Sequence, residues 1–298
     1  MSGFRQWAQK QHAEEWVIFP DNIGETICID EVALSQGELY TVVTNAAARS
    51  QKGSLIAMVE GTRSEEVSKL LKNISLNKRN IVKEVTLDLA RNMELIATNS
   101  FPNANLVSDR FHVQQLSTEA LQEMRIKHRW SAIEMENHLV KKAKDLGQVY
   151  RPKILSNGDT RKQLLARSRY LLFKAPGKWT RKQAERAHIL FELYPDLQKA
   201  YNLTMMFRNI YEKAKSEQQA IEMMEKWHEK VYSLGFESFI TAANSIKSHQ
   251  QTILAYFKNR STNALAENFN AKIKAFRSVF RGINDTAFFI YRVSLIFA

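Results

Sequence analysis

Residues 26–61 read TICIDEVALSQGELYTVVTNAAARSQKGSLIAMVEG, and this stretch decides the fold class. Thr26 to Leu34 and Glu38 to Ala47 are apolar runs rich in β-branched residues, joined by Ser35-Gln36-Gly37, which has the composition of a turn. Gly53 to Gly61 supplies a third such run, so the segment reads as a three-stranded meander. The period then changes. From Ser64 to about Ser75, Val67, Leu70, Leu71 and Ile74 recur at helical spacing, with Ser64 as the expected cap. Ile81 to Leu87 reads as a fourth strand ending at Asp88, Arg91 to Asn99 as a short helix, Phe101-Pro102-Asn103 as a turn, and Ala104 to Asp109 as a fifth strand. Meander, helix, strand, helix, strand is the order of an α/β layer structure with a mixed sheet.

Outward from this region the pattern differs on each side. Residues 1–24 read as a short helical lead-in and a loop. Beyond His112 the strands stop: Ser117 to Leu146 has the pattern of one long helix, and a looser connector follows from Gly147 to Gly158. Thr180-Arg181-Lys182-Gln183 and Ser216-Glu217-Gln218-Gln219 match capping boxes, and Gly235 stands where a helix would end. A polar break, Lys258 to Thr262, precedes a helix from Asn263 to about Val279, stopped by Gly282, and Asn284 or Asp285 caps an apolar terminal helix. The expected organisation is a lead-in (1–24), the first part of an α/β core (25–115), an all-helical insertion (116–257) and C-terminal helices that complete the core (258–298).

Composition narrows the function classes. The 298 residues are 44% hydrophobic with 10 Gly and 5 Pro, which is neither disordered nor collagen-like. Apolar runs such as Leu254 to Phe257 and Ala287 to Tyr291 are far too short to span a bilayer, and the polar start carries no signal-peptide stretch. A cytoplasmic, nucleoid-associated protein is therefore expected. The single cysteine, Cys28, excludes an internal disulfide and a Cys-rich zinc finger, and its apolar surroundings mark it as a small buried residue. A formal charge of +12 favours a polyanionic partner such as nucleic acid. The basic residues are interleaved with carboxylates across the middle of the chain, so the charge is expected on folded surfaces.

Three acids stand where packing alone would not put them. Period-2 alternation places Ile27 and Ile29 on one face of the first strand, and Cys28 and Asp30 on the other. A carboxylate there is costly to bury unless something pairs it, and a divalent metal is one such partner. Asp88 repeats the arrangement after Val85 and Leu87, although an acid at a strand end can also simply cap the next helix. The third is Glu267, on a helix where Asn263, Glu267, Asn270, Lys274, Arg277 and Arg281 form one polar stripe opposite Leu265, Phe269, Ile273, Phe276 and Phe280. That stripe reads either as a solvated face or as an acid reaching a metal beside cations that track phosphates. Three carboxylates from separate elements suit two-metal chemistry, in which two Mg²⁺ ions about 3.5–4 Å apart clamp the attacking and leaving oxygens of a phosphoryl displacement. Mn²⁺ is an expected substitute.

At these residues the chain resembles the ISL-three group of bacterial insertion-sequence transposases, which are DDE enzymes. The resemblance rests on Ile27-Cys28-Ile29-Asp30-Glu31, on Phe101-Pro102-Asn103-Ala104 running to Asp109-Arg110-Phe111-His112-Val113, and on Ser261-Thr262-Asn263-Ala264-Leu265-Ala266-Glu267-Asn268-Phe269-Asn270 with Ile273-Lys274 and Arg277. It implies a ribonuclease-H-like mixed five-stranded sheet with flanking helices, interrupted by a large helical insertion before the last acid. It also implies DNA as partner (insertion-sequence ends and target), strand nicking, transfer of a 3′-hydroxyl, and a homodimer or higher oligomer on DNA. Members of that group usually begin with a zinc-binding and helix-turn-helix region. None is visible before Asp30 and the chain stops at Ala298, so it reads as either a truncated open reading frame or an excised piece of a longer protein.

In such a sheet the fourth strand pairs with the first and the fifth lies outside it. With strands about 4.8 Å apart, Asp88 rather than Asp109 is the expected partner of Asp30. Asp109 and His112 are then expected beside the metal ligands Asp30, Asp88 and Glu267, with Asp109 as the alternative ligand and a packed histidine as the plain reading of His112. Asn263, Asn270, Lys274, Arg277 and Arg281 are the expected DNA contacts. Two rival readings remain: a nuclease on the same fold, which shares the metal site and cuts without joining, and a regulatory DNA-binding remnant without activity, which loss of an acid would favour. Trp130, Trp179 and Trp227 are expected in the core of the helical part rather than as base-stacking platforms.

Overall fold

A computed structural model of the chain describes residues 2–34, 37–260, 264–280 and 285–298. The expected turn at Ser35-Gln36, the stop at Gly282 and a cap at Asn284 lie outside the described residues. The chain divides into two compact units, residues 1–113 with 249–298, and residues 114–248.

The first unit is built on a six-stranded sheet, β1 (Trp16–Ile18), β2 (Thr26–Ala33), β3 (Leu39–Asn45), β4 (Leu55–Glu60), β5 (Glu84–Leu87) and β6 (Asn105–Ser108), in the order β1-β4-β3-β2-β5-β6. The β2-β3-β4 meander and β1 are antiparallel, whereas β5 and β6 join β2 in parallel. The extra edge strand, β1, falls in the stretch expected to be helical lead-in and loop. Three residues are too few to show an alternation, and its pairing with β4 is a long-range contact no local pattern encodes.

Alternation along β2 sorts the two faces. Ile27 and Ile29 join Val43 and Val85 beneath helices α1 (Ser64–Leu71) and α2 (Arg91–Ser100), which contribute Val67, Leu71, Met93, Ile96 and Ala97. Helix α1 begins with Ser64 already helical and Arg63 at its N-cap, without a side-chain cap. Helix α3 (Arg110–Asp145) starts directly after β6, well ahead of the expected start at Ser117, because the Asp109 carbonyl already accepts from Val113 N–H.

The second unit takes the rest of α3 and α4 (Arg161–Arg167), α5 (Arg181–Leu193), α6 (Pro195–Lys213), α7 (Glu217–Leu234) and α8 (Glu237–Ser248). Capping boxes open α4 at Thr160–Gln163 and α5 at Thr180–Gln183. Ser216 caps α7 through Gln219 N–H, and Gly235 closes it at φ 69°, a left-handed position where a Cβ would be strained. Trp227 is fully buried, donates to Leu203 O at 2.9 Å and packs on Phe207.

Asp159 is 1% exposed and pairs with both Arg167 and Arg186, tying α4 to α5. Burial pushes its carboxyl up, but hydrogen bonds from the two guanidinium groups outweigh this and hold it below the ordinary 3.8. A depressed native value means the stabilisation is fully present above 3.8 and is lost as pH falls through the native value. Asp159→Asn is therefore expected to destabilise the second unit by about 2–3 kcal/mol at neutral pH, less than a fully buried pair because the arginines stay partly solvated, and to flatten its acid melting curve. Urea melts across the acid range check both.

After α8 the chain returns to the first unit with α9 (Gln250–Asn259), which packs on β6; Thr252 Oγ1 lies 2.7 Å from Ser108 Oγ. Two last helices, α10 (Ala264–Val279) and α11 (Thr286–Phe297), cover the second face of the sheet with Phe269, Ile273, Phe289, Ile290 and Val293 against Val32, Tyr40, Val42 and Met58. A mixed sheet flanked by helices and interrupted by a large all-helical insertion is the arrangement of a ribonuclease-H-like core.

Candidate active site

The parallel strands bring the aspartates together. Cys28 pairs with Thr86 and Thr86 with Val107, while Leu87 pairs with Ser108. Two residues beyond the first pair and one beyond the last, Asp30, Asp88 and Asp109 fall level across three neighbouring strands. Asp109 N–H donates to Leu87 O at 2.8 Å, so the ladder carries on to that level. Asp30 lies on the face covered by α10, and Asp88, at about the 4.8 Å strand spacing, stands between it and Asp109.

Two of the aspartates are held by backbone or amide donors. Asp30 Oδ1 accepts from Glu31 N–H at 2.8 Å and Oδ2 from Asn270 Nδ2 at 2.8 Å. Asp88 Oδ1 accepts from Ala90 N–H at 2.8 Å, a turn just ahead of α2; Ala90 is the N-cap of that helix, which has no side-chain cap, so Asp88 does not cap it. Asp109 is buried, and His112, three residues on in α3, shares its helical face.

Glu267, in the first turn of α10, completes the group: ligand atoms of Asp109, His112 and Glu267 all lie within 4.8 Å of one another. This is a DDE-like candidate metal-holding triad. Asn270, one turn further along α10, meets Asp30, so a single helix reaches both ends of the aspartate row.

The electrostatics follow from this crowding. Burial pushes the Asp30 carboxyl up to about 6; Glu31 N–H and the His112 charge pull it down, and Asp88 and then Asp109 push it up. Glu267 is raised by burial and by Asp109, and lowered by His112. Clustered carboxylates that resist ionisation are offset by a cation, and oxygen donors of this kind suit a hard divalent one. Asn270 Oδ1 is buried without a hydrogen-bond partner among the described residues, which leaves an acceptor for a hydrated ion. The residues fit a metal site. Cys28, on the same strand face, is inert: burial pushes its thiol up to about 12.

The stripe read on the last polar helix divides. Ala266, Phe269, Asn270, Ile273 and Arg277 form its buried side, at helical spacing, while Glu267, Lys274 and Ser278 are exposed. Arg277 departs from the expected solvated face. It is 2% exposed, pairs with Glu38 at 2.8 Å and lies 4.9 Å from the Phe289 ring centre. Asn270 is likewise turned inward, towards Asp30. Both polar residues occupy the packed stripe because a half-buried carboxylate partner, Asp30 or Glu38, waits for each. Asn263 and Arg281 lie outside the described residues.

A family model described as Transposase, of the ISL3 DDE type, matches residues 27–293. The transposase for insertion sequence element IS1001 of Bordetella parapertussis is 24% identical over 278 residues, covering 92% of this chain and 61% of that protein. The transposase for insertion sequence element IS1557 of Mycobacterium tuberculosis (strain ATCC 25618 / H37Rv) is 24% identical over 250 residues, covering 83% of this chain and 54% of that protein. The chain thus spans little more than half the length of these curated relatives. Among solved structures, the Drosophila P element transposase strand transfer complex aligns over 97% of this chain and 79% of that one, with a TM-score of 0.40 and 11% identity. No described helix is long and apolar enough to cross a membrane.

Proposed function

Because the chain belongs to the ISL3 family of DDE-type transposases, we propose that it nicks DNA at the ends of an insertion sequence and transfers the freed 3′-hydroxyl to target DNA. The observation that carries the reading is the level row of Asp30, Asp88 and Asp109 under a helix that brings Glu267 to the same place. Two cation positions suit the row. Asp30 and Asp88, on adjacent strands, would hold one Mg²⁺; Glu267, beside Asp109 and His112, would hold the other, with Mn²⁺ as a substitute. Bound divalent ions there would supply Lewis-acid polarisation of the scissile phosphate and lower the pKa of the attacking water or hydroxyl.

The protein's own groups prepare that chemistry. Asn270 and Glu31 N–H fix the Asp30 carboxylate, leaving it one orientation. Ala90 N–H does the same for Asp88. His112 places positive charge, when protonated, against Asp30 and Glu267 and eases their ionisation. Lys274 shares the exposed side of α10 with Glu267, where it would meet a DNA phosphate. A dimer or higher oligomer would hold the two element ends together.

The test is Mg²⁺-dependent nicking and strand transfer on the element's own ends. Asp88→Asn is expected to abolish both, whereas Asp109→Asn leaves a reduced, measurable activity; the reverse order would move the inner ligand to Asp109. Lys274→Ala is expected to weaken binding to unrelated DNA sequences alike and to reduce the slope of log affinity against log salt by about 0.9. Titrations at several salt concentrations check this, and a loss confined to one sequence would make Lys274 a base reader.

A further inference from the structure

The positive charge of the chain is concentrated far from the acids in sequence. Residues 151–190 carry eleven Lys and Arg against two acids, Asp159 and Glu185, a net +9 within a chain of +12. Part of this charge is used internally: Arg167 and Arg186 clamp Asp159, and Lys162 meets Glu136. Arg161, Arg169, Lys178, Arg181 and Lys182 are exposed, all within α4, α5 and the segment joining them. Arg181 bonds the exposed Glu185 one turn on, a surface pair that water and salt readily open.

Lys178 directly precedes Trp179, and Arg181 and Lys182 open helix α5, which lines a cleft of about 510 Å³ with Trp179, Ala184, His188, Phe191, Glu192 and Gln198 around it and Ala187 at its base. Trp179 and Phe191 are half-buried, their ring centres 6.4 Å apart, and both rest on Tyr201 at 5.5 and 5.4 Å. Trp179 Nε1 donates to Leu171 O at 2.8 Å, which fixes the indole in place. The cleft therefore offers preorganised aromatic walls and, in His188, Glu192 and Gln198, polar groups able to bond a base edge. Tyr170, earlier in the same basic stretch, is 67% exposed, with the Arg169 guanidinium 5.5 Å from its ring. A solvated helix face needs none of this: exposed cations next to an open aromatic cleft are the two parts of a single-strand binding surface, one for the backbone and one for a base.

We propose that the helical unit carries its own binding surface for single-stranded DNA, with phosphates on Lys178, Arg181 and Lys182 and an unstacked base in the Trp179–Phe191 cleft. Such a surface would take a displaced strand or an unpaired nucleotide at a cut end. It goes beyond the cleavage reading of the acid site, and its binding needs no metal.

The experiment is equilibrium binding of the whole chain to a fluorescent single-stranded oligonucleotide and to its duplex, in EDTA, so that failure of the catalytic reading does not bear on it. Lys178→Ala with Lys182→Ala is expected to weaken single-strand binding and to lower the salt slope by about 0.7 for each phosphate no longer neutralised. Ala184→Leu, at an exposed helical position, fills the cleft without removing a packed side chain. It is expected to weaken single-strand binding roughly tenfold and leave duplex affinity unchanged. Trp179→Ala should match it, with the melting temperature recorded to separate impaired folding from impaired stacking. Unchanged single-strand affinity in Ala184→Leu overturns the base cleft, as does an equal loss for single strand and duplex. Unchanged salt slope in the double lysine variant overturns the phosphate contacts.

Discussion

Asp30→Ala is expected to abolish Mg²⁺- or Mn²⁺-dependent cleavage, a loss on the order of a thousandfold or more, while leaving the protein folded. The activity loss follows from the position of Asp30 in the row, one strand from Asp88 and joined to α10 through Asn270. The tolerance of the fold follows from the same crowding. A carboxyl pushed up to about 6 by burial and by Asp88 and Asp109 adds repulsion to the metal-free site, and its removal relieves that repulsion. The cost is the hydrogen bonds from Glu31 N–H and Asn270, which Asp30→Asn largely spares by keeping an acceptor oxygen. Nicking rates measured beside thermal melts decide the matter: full cleavage by either folded variant removes Asp30 from the site.

The second large effect is on stability. Arg277→Ala is expected to cost about 3–5 kcal/mol, because it removes the ion pair to the largely buried Glu38 carboxylate and opens space over Phe289. Metal-free DNA affinity per folded molecule should stay unchanged, in contrast to Lys274→Ala. Replacing the pair together, Glu38→Gln with Arg277→Met, should recover much of the loss, since no unpaired charge then remains in the interior. Urea denaturation measures the first value and the recovery. A cost under about 1 kcal/mol together with weaker DNA binding would return Arg277 to the surface role its place in the sequence suggested.

The contrast between Arg277 and Lys274 shows where sequence reasoning runs out. Helical spacing placed Glu267 and Lys274 on one side, and period-2 alternation separated Asp30 from Ile27 and Ile29, because both signals are local and repeat within a few residues. The same spacing could not say whether Asn270 and Arg277 belong with the polar residues or with Phe269 and Ile273. Their angular positions lie between the two sides, and the answer depends on Asp30 and Glu38, some 240 residues away in the chain. The strand-helix alternation was legible from Thr26 to Asp109. Strand β1 was not, since it exists only by pairing with β4. The levelling of three aspartates is of the same kind: each stood out at the end of an apolar run, but parallel register is a property of the assembled sheet and is written in none of the strands separately.

The chain leaves the first unit after β6 and comes back on β6, where Ser108 and Thr252 hydroxyls meet at 2.7 Å across a separation of 144 residues. Seen from the sheet, everything between is a loop whose ends are already stapled. Closing such a loop grows costlier only slowly with length, about 0.6 kcal/mol for each doubling. An ancestor could therefore lengthen, shorten or exchange the inserted helices without retuning the acids. The sheet with its acids and the inserted helices would then evolve as separately replaceable parts of one gene, joined at a point in the chain that a designer could also cut.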